Sequence, residues 1–178
     1  MEEGLNLSLK NLGLDYLDRA LFPPIVYRKP LTDPAPLVLL IHWPIHLNPA
    51  GNHPFIPTLP DGSRDVIRDW KIADTWKQME ALVASGKVKS IGVSNFSELK
   101  LSEILPEATI VPAVNQLELH VYNPQKSLLA FMAEKGIRAQ AYSPLGSTNS
   151  SLLKDEVVLE VASSHSVDPS AILLAYLS

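Results

Sequence analysis

Three strand-like segments recur at an even interval, and that interval limits the possible folds more than any other feature of the chain. "VKSIGVSN", "AVNQLEL" and "RAQAYSPL" begin near Val88, Ala113 and Arg138, 25 residues apart. Each is short and strand-like, and each is followed by apolar residues at helical spacing. An earlier segment over residues 37–43, "LVLLIHW", has the composition of a buried strand and runs into Pro44. Strands alternating with helices at this pitch require right-handed crossovers and a parallel sheet with helices outside it. Two α/β architectures satisfy that rule, a (β/α) barrel and a doubly wound sheet. No G-x-G-x-x-G follows any strand, which removes the main support for a dinucleotide-binding sheet of the second kind and favours the barrel.

The intervening helices are marked by their apolar faces and their ends. Ile72, Trp76, Met79 and Val83 lie on one face of a helix that Gly86 closes. Ser97 is the expected N-cap of a short helix carrying Leu101, Ile104 and Leu105. Asn123 and Pro124 supply N-cap and first-turn chemistry for a helix through Leu128 and Met132 to Gly136. Val158, Val161 and Ala162 mark a further helix, and Asp168-Pro169 opens the last one. Upstream, Leu5, Leu9 and Leu12 have helical spacing and Gly13 follows as a C-cap. Residues 19–36 hold five prolines, too many for a regular helix or a central strand, and read as an irregular insertion in a single domain spanning 1–178.

Bulk properties exclude several function classes. A net charge of −4 gives no reason to expect a nucleic acid or an anionic membrane as partner, since such surfaces are drawn to basic patches. With no cysteine there is no disulfide, zinc–thiolate site or thiol nucleophile. No run of 18 apolar residues is present, and the acidic start "MEEGLNLSLK" is unlike a secretory signal, so a cytoplasmic location is expected.

In parallel α/β folds the ligand sits at the carboxyl ends of the strands. Here those ends carry His42 and Trp43, Ser94 and Asn95, Gln116, and Tyr142 and Ser143. Amides and hydroxyls beside aromatic faces suit a planar polar heterocycle, with Tyr142 stacking on the ring and Asn95 and Gln116 bonding its substituents. Each residue also has a plain structural role open to it. A strand-end His42 can be a hydrogen-bonded scaffold residue and Trp43 a core residue. Ser94 can cap, Asn95 can hold a turn, and Gln116 can satisfy backbone groups. The joint position carries the functional reading. A metal site on His42, His46 and His53 is disfavoured, because Pro44 breaks any helix that would align "HWPIH" and no carboxylates cluster there.

Seven strings make the chain resemble the aldo-keto reductase family: "LGLDYLD", "LIHWP", "LNPAGNHPFIPTLPDGSRD", "DTWKQMEALVASGKVKSIGVSNFS", "PAVNQLELHVYNPQ", "KGIRAQAYSPLGS" and "SLLKDEVV". "GKVKSIGVSNF", "VNQLELH" and "AYSPLGS" at this spacing are highly specific. The resemblance implies an eight-stranded (β/α)8 TIM barrel that binds NADP(H) and reduces aldehydes or ketones, small-molecule carbonyl substrates. It implies that His42 is the catalytic histidine, which orients the substrate carbonyl, and that Trp43 is a substrate-pocket aromatic. Ser94, Asn95 and Gln116 would hold the nicotinamide carboxamide, and Tyr142 would stack on its ring. Ser143, Leu145 and Ser147 would belong to the loop that wraps the pyrophosphate.

The same resemblance implies a mechanism in which Asp, Tyr and Lys act with the histidine. Those three lie upstream of the first helix in the family, and no matching string occurs here. The expectation is therefore an incomplete barrel of about four central β/α units, with little or no turnover by this chain alone. A non-catalytic, aldo-keto-reductase-like binding or regulatory subunit is the alternative.

Overall fold

The computed structural model describes residues 38–53 and 55–178. The expected first helix and the Pro-rich segment 19–36 lie outside the described residues. Among the described residues four strands form one sheet: β1 (Val38–Ile41), β2 (Ser90–Ser94), β3 (Val114–Glu118) and β4 (Arg138–Tyr142). All three pairings are parallel, and the spatial order is β1-β2-β3-β4. Every crossover thus steps the same way. A doubly wound sheet would reverse its strand order at a switch point, and this one does not, so the winding is that of a barrel.

The helices are α1 (Ile72–Ala84), α2 (Glu98–Ile104), α3 (Lys126–Glu134), α4 (Glu156–Ser164) and α5 (Pro169–Ala175). Ser97 caps α2 as expected, its hydroxyl accepting from the Lys100 N–H. Asp168 caps α5, with Pro169 in the first turn. The start of α3 differs from expectation. Its N-cap is Gln125, in left-handed backbone geometry, and helix begins at Lys126. Asn123 is instead used one turn earlier: its N–H bonds the His120 carbonyl and its amide donates to the Glu118 carbonyl at 2.8 Å. The tight turn 120–123 claims the Asn before the helix can.

Alternation sorts the strand residues between two faces. Leu39, Ile91, Val93, Leu117 and Leu119 point to the helices and pack with Trp76, Met79, Leu101, Ile104 and Met132. Trp76 is 1% exposed, and its indole N–H donates to the Ile110 carbonyl at 2.9 Å, which pins α1 to the segment entering β3. Glu80 adds to that tie by accepting from the N–H groups of Thr109 and Ile110. The helix-facing stripe of α1 ends in Leu82, with Val83 only partly buried beside it. A second, smaller cluster of Leu152, Val158 and Leu173 lies under the segment after β4. Among the described residues no helix is long and apolar enough to cross a membrane.

Gly92 sits between close neighbours on the adjoining strands. A Cβ there would lie 2.7 Å from the Val114 carbonyl and 2.8 Å from Leu40 Cδ2. Backbone on one side leaves no cheap relief. Gly92→Ala is expected to destabilise the chain by about 1–3 kcal/mol through overpacking. Equilibrium denaturant titration measures it, and an unchanged midpoint would refute the close approach.

Candidate active site

The strand register places the polar residues. Leu40 pairs with Gly92 and Ile41 with Val93, so His42 continues the row of Ser94. Ser94 pairs with Gln116, and Gln116 with Gln140. Side chains two residues apart share a face, so His42, Ser94, Gln116 and Gln140 form one row across the concave face. Glu118 and Tyr142 pair in the next row.

Hydrogen bonds knit these ends together. Ser94 is fully buried, and its hydroxyl donates to the Gln116 carbonyl at 2.9 Å. The Asn95 N–H reaches the same carbonyl at 2.9 Å. The Asn95 side-chain amide donates to the His42 carbonyl at 3.0 Å and to Ser94 Oγ at 3.1 Å. Its own carbonyl accepts from the Tyr142 hydroxyl at 2.9 Å. One side chain thereby joins the ends of β1, β2 and β4. Gln116 is held from the side, its amide donating to Gln140 Oε1 at 3.1 Å.

Backbone geometry is unusual at the same places. Asn95, Gln125 and Ser143 have φ of 61°, 43° and 49°. Left-handed backbone is uncommon for residues other than glycine and tends to gather at functional sites. Asn95 and Ser143 directly follow β2 and β4, and Gln125 is the N-cap of α3. Beyond β2 the ladder is continued by a side chain: the buried Asn115 amide donates to the Phe96 carbonyl at 2.8 Å, and its oxygen accepts from the Phe96 N–H at 3.3 Å. This bracket holds the turn that presents Asn95.

An open depression of about 470 Å³ lies at these strand ends, and Trp43, Asn95, Glu118 and Tyr142 are among its lining. Trp43 is 49% exposed, and its ring centroid is 5.9 Å from that of His42. Burial pushes the His42 imidazole below its ordinary pKa, so the ring is neutral near pH 7. Burial, with the Glu118 carboxylate as a lesser cause, pushes the Tyr142 phenol up and keeps it protonated. A neutral imidazole with one N–H and a fixed phenol beside amide groups can orient a carbonyl and a planar amide-bearing ring.

His42, Ser94, Asn95, Gln116 and Tyr142 are therefore brought together. Ser143 directly follows Tyr142, and Leu145 and Ser147 come later on the segment leaving β4. Leu145 packs against the small Leu152, Val158 and Leu173 cluster, and Ser147 is exposed. Of the other histidines, His46 lies against Trp70 at 5.1 Å and His53 Nδ1 accepts from the N–H groups of Phe55 and Ile56. Asn115, Glu118 and Gln140 join the site in addition to the residues expected from the sequence. The signal for Gln140 was present in the alternation, since it stands two residues before Tyr142.

The whole chain, residues 1–178, matches the model of the aldo/keto reductase family. The chain belongs to that family. A D-galacturonate reductase of Hypocrea jecorina is 49% identical over 173 residues, covering 97% of this chain and 50% of that protein. A glycerol 2-dehydrogenase (NADP(+)) of Saccharomyces cerevisiae is 40% identical over 182 residues, covering 98% and 52%. Among solved structures, the aldose reductase of Schistosoma japonicum superposes with a TM-score of 0.80 at 36% identity, covering 99% of this chain and 50% of that one. The aldo/keto reductase chain spans about half the length of the curated relatives it matches. Its four-stranded parallel sheet is accordingly part of a (β/α)8 barrel.

Two outcomes follow from the site. Asn115→Ala strips both partners from the Phe96 backbone and is expected to destabilise by about 1–3 kcal/mol, read by denaturant titration; a neutral result would mean the bracket is dispensable. In an NMR pH titration the His42 ring is expected to have its midpoint below 6.5. Because the unfolded chain then binds more protons, this group's contribution to stability is complete above 6.5 and declines as pH falls through the depressed native value. A midpoint at or above 6.5 contradicts the burial argument.

Proposed function

We propose that this chain carries the central part of an NADPH-dependent reductase of aldehydes or ketones. The observation that supports the reading most strongly is the Asn95 side chain, bonded to Tyr142, Ser94 and the His42 carbonyl across three strands. Asn95 and Tyr142 line one concavity, an amide beside a restrained aromatic face, and the buried Ser94 hydroxyl braces Asn95 from behind. That donor set fits a nicotinamide: Ser94, Asn95 and Gln116 would hold the carboxamide, and Tyr142 would stack on the ring. NADPH when bound would supply the hydride.

The chain's own residues do the rest. The Tyr142 hydroxyl is committed to Asn95, which fixes the ring plane and leaves its face for stacking. Neutral His42 orients the substrate carbonyl through its N–H, and Trp43 beside it shields the reacting carbon from water. Ser143, Leu145 and Ser147 would cover the cofactor's pyrophosphate. Small carbonyl compounds are the proposed substrates, and the cytoplasm the proposed location.

Binding is tested by quenching of NADPH fluorescence on titration with the purified chain. Asn95→Ala, which severs three hydrogen bonds, is expected to weaken binding by about tenfold or more. Affinity unchanged in Asn95→Ala and in Gln116→Ala would remove the proposed carboxamide site. The second reading, a non-catalytic binding or regulatory member, rests on the motif match itself, in which His42 alone answers to a proton-transfer residue. Consumption of NADPH with a simple aldehyde separates the two: little or no turnover with retained binding is expected of the chain alone, and a robust rate would exclude the non-catalytic reading.

A further inference from the structure

The segment 143–154 joins β4 to α4. Its own hydrogen bonds are local: Gly146 N–H to the Ser143 carbonyl at 2.8 Å, Ser150 N–H to Ser147 at 2.9 Å, Leu152 N–H to Ser150 Oγ at 3.2 Å and Lys154 N–H to Ser151 at 2.8 Å. Gly146 has φ of +82°, and the Ser150 side chain fills the space where a Cβ would stand. The segment is thus folded upon itself as a strap.

Its two ends are each tied by a tyrosine hydroxyl. At the near end Tyr142 donates to Asn95. At the far end Tyr122, from the turn after β3, donates to Asp155 Oδ2. The same carboxylate caps α4, its other oxygen accepting from the N–H groups of Val157 and Val158 at 3.0 and 3.1 Å. Both the hydroxyl and the capping bonds favour the ionised form and hold Asp155 below the usual carboxylate range. Next to Tyr122 in sequence, Val121 packs on the Leu152, Val158 and Leu173 cluster, and so does Leu145 from within the strap. The β3–α3 turn and the strap therefore share one small apolar cluster and one hydrogen bond.

We propose that Tyr122 is a positioning residue: its bond to Asp155 fixes the far end of the strap and so sets how readily Ser143, Leu145 and Ser147 reach a bound dinucleotide. This inference rests on the cofactor reading above for its purpose, and on the geometry alone for its mechanics. The bond is exposed to solvent, Tyr122 being 60% accessible, so the net contribution of this latch is that of one modest hydrogen bond.

The test uses Tyr122→Phe, which removes only the hydroxyl, and Asp155→Ser, which keeps a helix-capping oxygen but is too short to reach Tyr122. Amide hydrogen exchange at Gly146, Ser150 and Leu152 is the readout. Each variant is expected to exchange about three- to tenfold faster there, with β2 and β3 unchanged, as for loss of one modest hydrogen bond. The double variant is expected to be no faster than the faster single, since both remove the same bond. Exchange within about twofold of the parent, uniform acceleration across the sheet, or strap amides already at the rate of an unstructured peptide in the parent would each overturn the latch. In parallel, Tyr122→Phe is expected to speed NADPH release several-fold without changing the quenching amplitude. Release at the parent's rate would leave the latch without a role in cofactor capture. Failure of the parent chain to bind NADPH would defeat the cofactor reading, while the exchange data still decide the latch.

Discussion

The pairing of Ser94 with Gln116 holds the site in place, because it sets which way every neighbouring side chain faces. Parallel strands alternate with a period of two, so a slip of one residue would turn Ser94, Gln116 and Gln140 toward the helices and expose Val93 and Leu117 in their stead. The core forbids that slip: Ile91, Val93, Leu117 and Leu119 are all buried under the helices. Hydrophobic burial on one face thereby determines polar geometry on the other. Gly92 serves the same end by letting β2 and β3 approach with no side chain between them.

Past the last ladder pair, side chains take over from backbone. Asn115 brackets Phe96, Asn95 ties three strand ends, and Asn123 and Gln125 both donate to the Glu118 carbonyl. Asn and Gln suit this work because each offers donors and an acceptor on one short planar group. The result is a rim held at fixed geometry with left-handed residues at its corners, where a longer ladder would have been straighter and less able to present side chains inward.

Much of this was open to reading from the sequence, for identifiable reasons. Apolar spacing marked α1, and Ser97 and Asp168 marked helix starts, because caps are local chemistry. The three evenly spaced strands were visible because each β/α unit has nearly the same length; the observed starts at Ser90, Val114 and Arg138 are 24 residues apart, one less than the patterns suggested. Asn123 misled because an Asn before a proline serves equally as a helix cap or a turn residue, and the competing turn lies in contacts with Glu118 and His120. Asn115 carried no local mark, since an amide on the helix-facing side of a strand does not show by itself that it will bracket Phe96.

The sequence by itself determined the alternation of strands and helices, the residues at each strand end, and the family to which they belong, since all three are written in local periodicity and motif. Only the tertiary structure decided that the strands lie in sequential order without reversal. It also joined Tyr142 to Asn95, 47 residues earlier, and Tyr122 to Asp155, 33 residues later. Those choices depend on register and crossover direction, which arise when helices pack on the sheet and which no short stretch of chain encodes.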